Sequence, residues 1–170
     1  MIIKKNITML FLAKLAEAYP IGKVKIAPGT FASFLALIIG YYLLKKIGIT
    51  NFIIFISIFT LIGVIVSEIH VRIFKIKDPK EVVIDEFSGQ FISILALPYS
   101  NNNIDILISL TLSFLLFRFF DITKLGPIKR FETLPGGIGI MADDVVAGIC
   151  AFIVQCGIWT YFNQQLLVTI

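Results

Sequence analysis

The chain has 170 residues, of which 58% are hydrophobic, with a mean hydropathy of +0.94 and a net charge of +4. This length favours a single domain that spans residues 1–170, and this composition excludes an ordinary soluble globular protein. The aromatic residues lie within apolar runs rather than among basic clusters, so we do not expect nucleic-acid binding, and the basic excess is typical of cytoplasmic loops near anionic lipid.

The first predicted element is a short helix near the N-terminus. One of its faces carries only apolar side chains: Ile7, Leu10, Phe11, Leu15 and Ala18. Lys14 and Glu17 lie on another face and follow the apolar residues at once, which argues against a cleaved signal peptide. We therefore expect a helix that lies in the membrane interface or against the rest of the protein.

Five apolar runs follow and predict an all-α fold, a multi-span helical membrane bundle. In chain order they are residues 31–44, 51–66, 87–98, 104–117 and 145–162. The second and the fifth are clear spans, whereas the first and the third are short for a bilayer core of about 30 Å, which requires roughly 20 residues. The sequence therefore predicts four or five membrane helices, and the third run is re-entrant in the four-helix version.

The positions of lysine and arginine orient these helices. Basic residues are frequent before the first run, after the second and after the fourth, and they are absent from residues 98–104 and from the C-terminal tail. The N-terminus is therefore predicted to be cytoplasmic, with Lys45 and Lys46 as an exception that reaches the surface from a helix end. Four polar clusters then share the cytoplasmic face: residues 28–30, 78–86, 118–124 and 136–144.

The second of these clusters begins as a helix start would. Asp78 is the expected N-cap, Pro79 the first helical residue and Glu81 the third. Asp85 and Glu86 come directly before an apolar run. Two acids at the edge of a span exceed what capping requires, and a carboxylate in a bilayer is costly, so metal binding is the favoured interpretation of this pair.

The third cluster combines an acid with basic residues at the end of the fourth run. Arg118 and Asp121 can form an ion pair on one helix, but the dipole at a helix C-terminus disfavours an anion, so a functional role for Asp121 is equally well supported. Lys124, Lys129 and Arg130 are each ordinary flanking charges, yet together they can hold a phosphate or an anionic headgroup.

The fourth cluster is a glycine-rich stretch, residues 136–139, that leads to Asp143 and Asp144 and then to an apolar run. Glycine lets the backbone approach a ligand closely. Helix capping explains one of the two acids more easily than both, so capping and metal ligation stay open as alternatives.

Two other polar residues favour structural interpretations. Thr30 opens the first apolar run and is better explained as an N-cap than as a phosphate contact at a helix N-terminus. His70, the single histidine, is predicted to be solvated at the end of the second span.

The acids and bases together indicate phosphate chemistry. Several carboxylates without sulfur or imidazole ligands suit Mg²⁺, and adjacent basic residues suit a phosphate, which at a lipid surface indicates a phospholipid or its precursor. Neither cysteine has an arginine six residues later, and one histidine cannot supply a two-histidine mechanism. With these phosphatase mechanisms excluded, metal-dependent hydrolysis is the mechanism that the residues favour.

Four blocks of the sequence resemble the bacterial phosphatidylglycerophosphatase A family. They are PGTFAS at 28–33, DPKEVVIDEFSGQ at 78–90, FRFFDITK at 117–124 and GIGIMADDVVAG at 137–148, in that family's order. The resemblance implies an all-helical, Mg²⁺-dependent phosphatase of the bacterial inner membrane, with its active site facing the cytoplasm. It would convert phosphatidylglycerophosphate to phosphatidylglycerol and inorganic phosphate.

The matching positions imply roles for individual residues. The implied metal ligands are Asp85, Glu86, Asp121, Asp143 and Asp144. Asp85, Asp121 and Asp144 are also the expected catalytic residues. The expected phosphate contacts are Thr30, Arg118 and Lys124. Ala32 replaces a glycine that is usual in the family, and Leu125 and Gly126 alter a Lys-Pro-x-Pro pattern, which affects local geometry more than charge.

Several mechanistic and functional alternatives stay open. A metal-activated water is the favoured attacking group, and a carboxylate nucleophile such as Asp121 or Asp144 is the alternative. The rival functions are a small membrane carrier or channel for cations, and a phosphotransferase that acts on lipid headgroups.

Overall fold

The computed structural model describes residues 7–76, 79–97, 102–126 and 128–168, with side chains as far as residue 162. Within these ranges the chain forms helices and no strands, which confirms the predicted all-α fold. The α-helices are α1 Ile7–Ala16, α2 Pro28–Phe74, α3 Ile84–Ser93, α4 Asn103–Thr123, α5 Ile128–Phe131 and α6 Gly136–Val168. Short 3₁₀ turns occur at Ile21–Lys23 and Ile94–Ala96.

Helix α2 folds back on itself at Gly48. This residue has φ 76° and ψ 165°, a backbone conformation that favours glycine. Phe91 of α3 packs against Gly40, and its ring centroid lies 5.5 Å from that of Phe59. A straight helix would separate residues 40 and 59 by about 28 Å. Helix α2 therefore supplies both of the first two predicted spans.

The lengths of the helices identify a membrane protein. Within the described ranges, three helices are long and apolar enough to cross a bilayer: Pro28–Phe74, Asn103–Thr123 and Gly136–Phe162. Helix α3 and its 3₁₀ turn together extend only about 20 Å, less than a hydrocarbon core of about 30 Å. Because α2 is bent, these lengths favour the version with four spans, in which α3 does not cross completely.

Small residues let α3 and α6 pack closely at the centre of the bundle. A side chain at Gly148 would overlap the carbonyl of Gly89, and a side chain at Gly89 would overlap the Phe117 ring and the carbonyl of Asp144. Such close approach is typical of helix contacts in membranes. It brings the first turn of α3 beside the acidic pair of α6.

The start of α3 differs from the prediction. The helix begins at Ile84 rather than at Pro79, and Asp78, the expected N-cap, lies outside the described residues. Pro79 instead accepts a hydrogen bond from the Val82 amide, 2.9 Å long, in a turn. The Val83 amide, just before the helix, donates a hydrogen bond of 3.1 Å to the Ala16 carbonyl. The first turn of α3 holds both Asp85 and Glu86, where the helix dipole stabilises negative charge.

Candidate active site

The ends of α3, α4 and α6 surround a cavity of about 490 Å³, which we call the acid cavity. All five predicted metal ligands line it: Asp85, Glu86, Asp121, Asp143 and Asp144. Asp121, Asp143 and Asp144 are buried, and the other two are partly buried. Acids from three separate stretches of the sequence thus meet at one place, as predicted.

Arg118 links two of these acids. Its Nη1 lies 2.8 Å from Asp121 Oδ2 and also pairs with Glu86 Oε2. Ser33 donates a hydrogen bond of 2.7 Å to the same Glu86 oxygen and accepts one of 3.3 Å from Arg118. The N-terminal parts of α2 and α3 are therefore tied to the C-terminal part of α4.

Lys124 links the other side of the cavity. It is the C-cap of α4 and has a left-handed backbone conformation, with φ 47°. Its Nζ lies 3.2 Å from Asp121 Oδ1 and 3.9 Å from Asp144 Oδ1, and it also pairs with Asp143 Oδ2. Burial by itself would lower the pKa of Lys124, but the hydrogen bond to Asp143 and the surrounding carboxylates raise this pKa above its ordinary value. The ammonium group is therefore charged at neutral pH.

The negative charge in the acid cavity exceeds what Arg118 and Lys124 can neutralise. Six carboxylates and two lysines line the cavity, because the exposed side chains of Glu132 and Lys129 lie beside the five predicted ligands and Lys124. Within the described chain Asp143 Oδ1 and Asp144 Oδ2 are buried without a hydrogen-bond partner. Buried charge without a partner is expensive. The donor set consists of carboxylate oxygens, which Mg²⁺ prefers, so the residues present fit a hard divalent cation.

A tighter group of possible ligands lies elsewhere. Within the described ranges, one group of possible metal ligands has ligand atoms that all lie within 4.8 Å of one another. It consists of Glu17, His70 and Glu81. Lys14 Nζ lies 2.9 Å from Glu17, and Lys23 Nζ lies 2.7 Å from Glu81. Two lysines thus neutralise two glutamates, and we call this group the balanced cluster.

The position of His70 differs from the prediction. It is only 1% exposed rather than solvated, and its Nε2 lies 3.4 Å from Glu17 Oε1. Its ring also packs on Phe74, with 4.6 Å between the centroids. Burial of Glu17 between α1 and α2 explains why an imidazole at a helix end is enclosed rather than hydrated.

Thr30 is the third residue of α2 rather than its N-cap, which is Ala27, and it lies apart from the acid cavity. It lines a small surface pocket with Phe31, Phe34 and Phe114, whereas Arg118 and Lys124 contact the acids directly. The same sequence block reaches the cavity through Gly29 and Ser33 instead. A side chain at Gly29 would overlap the Glu86 carboxylate, and Ser33 binds that carboxylate. Their spacing of four residues, which puts both on one helical face, is the signal that identifies them.

Glu68 has a structural role that its sequence context does not reveal. Its Oε2 accepts a hydrogen bond of 2.8 Å from the Gly137 amide, and its Oε1 accepts one of 2.6 Å from Arg72 Nε. A side chain at Gly136 would overlap this carboxylate. The glycines at the start of α6 therefore accommodate a glutamate of α2, and Gly136 also lines the acid cavity.

The sequence is similar to known proteins over most of its length. The family model for Phosphatidylglycerophosphatase A matches residues 14–159. A phosphatidylglycerophosphatase A of Haemophilus influenzae is 38% identical over 141 residues, which cover 82% of this chain and 83% of the relative. A phosphatidylglycerophosphatase A of Escherichia coli is 32% identical over 136 residues, which cover 79% of this chain and 76% of that relative.

A third relative carries a different description. A putative phosphatidylinositol-3-phosphatase of Bacteroides thetaiotaomicron is 42% identical over 77 residues, which cover 45% of this chain and 46% of that protein. No solved structure matches the fold.

Proposed function

Because the chain belongs to the phosphatidylglycerophosphatase A family, we propose that it removes the terminal phosphate of phosphatidylglycerophosphate and releases phosphatidylglycerol and inorganic phosphate. The chain is a membrane phosphatase, and its substrate is a phospholipid. Two relatives whose names state this activity support the choice of lipid. The observation that carries the proposal is the acid cavity, where the five predicted acids meet Arg118 and Lys124 at the helix ends.

Mg²⁺ is the proposed cofactor, held by the five acids of the cavity. Two of their oxygens are buried and lack partners among the described residues, which supports a requirement for added positive charge. When bound, Mg²⁺ neutralises the phosphoryl oxygens and lowers the pKa of a water ligand.

The cations of the chain bind the phosphate in this proposal. Arg118 offers a planar guanidinium that can form two parallel hydrogen bonds to phosphate oxygens. Lys124 adds a positive charge that persists at neutral pH because carboxylates surround it. Asp121 contacts both side chains and so fixes the distance between them.

Asp144 is the proposed proton acceptor. Its Oδ2 is buried without a hydrogen-bond partner within the described chain, so it has a lone pair to receive a proton from the attacking water. The close contact between α3 and α6 fixes the backbone at this residue, because the Asp144 carbonyl lies against Gly89. Nucleophilic attack by a carboxylate is the alternative, and Asp121 and Asp144 are its candidates.

The proposed location is the bacterial inner membrane, with the acid cavity at the cytoplasmic face. Basic residues lie at the C-terminal ends of α2 and α4 and in the segment between α4 and α6: Arg72, Lys75, Lys124, Lys129 and Arg130. An excess of lysine and arginine is typical of cytoplasmic segments.

The proposal is tested with purified protein in detergent micelles that contain phosphatidylglycerophosphate. We expect phosphate release that requires Mg²⁺ and stops with a chelator. The panel includes phosphatidylinositol 3-phosphate because of the Bacteroides relative. Absence of release from phosphatidylglycerophosphate, or faster release from the inositol lipid, would overturn the substrate assignment; release that is insensitive to a chelator would overturn the assignment of Mg²⁺.

A further inference from the structure

A second cavity of about 590 Å³ lies beside the acid cavity, and we call it the lipid groove. Gly136 lines both cavities, so the two adjoin at the start of α6. The walls of the lipid groove are mostly apolar, with Val64, Ile65 and Ile69 from α2 and Ile138 from α6. Its polar side chains are Glu68 and Arg72.

We infer that the lipid groove binds the phosphodiester and the adjoining acyl chain of the lipid whose terminal phosphate enters the acid cavity. This inference rests on the proposed function, because it assigns the remaining part of the same substrate. It adds Arg72 as a binding residue and Ile65 as a residue that contacts the acyl chain.

Charge complementarity supports a phosphodiester beside Arg72. The Arg72 side chain is 62% exposed, and its Nε donates to Glu68 Oε1 at 2.6 Å. That bond uses one of the five N–H donors of a guanidinium and fixes the side chain at the mouth of the groove. Hydrogen bonds from arginine to phosphate oxygens are short and strong, so an arginine in this place favours an anionic ligand group.

The order of side chains along α2 matches the order of groups in a phospholipid. Arg72 lies near the cavity end of the helix, and Ile65 lies about 10 Å along the helix from it, toward the middle of the span. Ile65 is 60% exposed. A lipid that enters here places its phosphodiester at the membrane surface and its chain inward, beside apolar side chains.

The partition between the two cavities matches a lipid that carries two phosphates. Glu68 and Gly136 lie between the carboxylates of the acid cavity and Arg72. The substrate bears a terminal phosphate and a phosphodiester with a glycerol unit between them. One phosphate on each side of this partition places the terminal phosphate beside Lys124 in the acid cavity and the phosphodiester beside Arg72 in the lipid groove.

The experiment measures kcat and KM for phosphatidylglycerophosphate in mixed micelles. Arg72→Gln is expected to raise KM about tenfold with little change in kcat, the size of one lost hydrogen bond to a charged group. Arg72→Lys keeps the charge and should restore much of the loss. A fall in kcat without a change in KM would instead indicate damage to the α6 start through Glu68 and would overturn the assignment of Arg72.

Ile65→Trp fills the groove and provides a second variant. It should raise KM for long-chain substrate more than for a dihexanoyl substrate, because only the long chain extends deep into the groove. Ile54→Trp is the matched control, an exposed residue of the same helix about 16 Å away, and it should leave KM unchanged.

The outcomes separate the inference from the proposed function. Wild-type protein that releases phosphate, together with unchanged KM in Arg72→Gln and Ile65→Trp, overturns the inference alone. Wild-type protein that releases no phosphate from this lipid overturns both.

Discussion

The acid cavity and the balanced cluster both combine carboxylates with lysines, yet they differ in net charge. In the balanced cluster, Lys14 and Lys23 pair with Glu17 and Glu81, so the positive and negative charges are equal in number. In the acid cavity the carboxylates outnumber the cations, and two of their oxygens are unpaired within the described residues. A close group of acids is therefore a weaker sign of a cation site than an excess of buried negative charge beside an open volume.

The largest expected effect comes from removing one unpaired acid. Asp144→Asn should reduce kcat by about 10²- to 10⁴-fold, because it removes the proposed proton acceptor and one metal ligand. The folded yield should not fall, since the substitution removes a buried charge without changing the size of the side chain. Phosphate release is measured with the Glu17→Gln variant of the balanced cluster as the comparison. Full turnover by Asp144→Asn would exclude this residue from the site.

A second effect distinguishes the two regions by their response to Mg²⁺. The ion should stabilise the wild-type protein against heat, by about 2.7 kcal/mol at a concentration 100 times its Kd. The same gain is expected in Glu17→Gln, and most of it should disappear in Asp143→Asn. Thermal unfolding with and without Mg²⁺ measures this. Equal stabilisation of Asp143→Asn and the wild type would show that the ion binds elsewhere.

Lys124→Met should destabilise the protein by up to about 3 kcal/mol, which is below the cost of breaking a fully buried ion pair because the Lys124 side chain is 25% exposed. The contribution of Lys124 to stability depends on pH with a definite sign. Because the folded-state pKa of Lys124 is raised from 10.5, its contribution to the free energy of unfolding is complete below pH 10.5 and decreases as pH rises above that value. The difference in stability between wild type and Lys124→Met should therefore be constant from pH 7 to pH 10 and shrink at higher pH. A difference that already shrinks near pH 8 would contradict the raised pKa.

The smallest effect is expected in the balanced cluster. Glu81→Gln removes an exposed ion pair with Lys23, which is worth about 0–1 kcal/mol. The hydrogen bond to Lys23 lowers the pKa of Glu81 from 4.5, so this contribution is present above pH 4.5 and is lost as pH falls further. Turnover should match the wild type. A loss of turnover as large as that in Asp144→Asn would mean that the two regions are not functionally separate.

Several features were predictable because they depend on local sequence. The lengths of the apolar runs gave an all-α membrane fold, and the four sequence blocks identified the family, both of which are confirmed. The roles assigned to the five acids, Arg118 and Lys124 stay predictions, although these side chains do meet in one cavity. The assignment of Thr30 as a phosphate contact is less well supported, because this residue lines another pocket.

Other features were not predictable because they depend on contacts between distant residues. Glu86 and Ser33 are 53 residues apart in sequence, and Glu68 and Gly137 are 69 apart. No local sequence pattern therefore predicts either hydrogen bond. The sequence predicts that His70 is solvated at a helix end, but it is buried because α1 brings Glu17 against it.

The sequence by itself determined which segments are apolar enough to enter a membrane and which charged residues lie at their ends, because hydropathy and the cost of burying charge act on each segment separately. The tertiary structure decided which charges neutralise one another and which are left in excess. The reversal of α2 at Gly48 and the close approach of α3 and α6 contribute to the distances between side chains, and the energy of a charge depends on those distances.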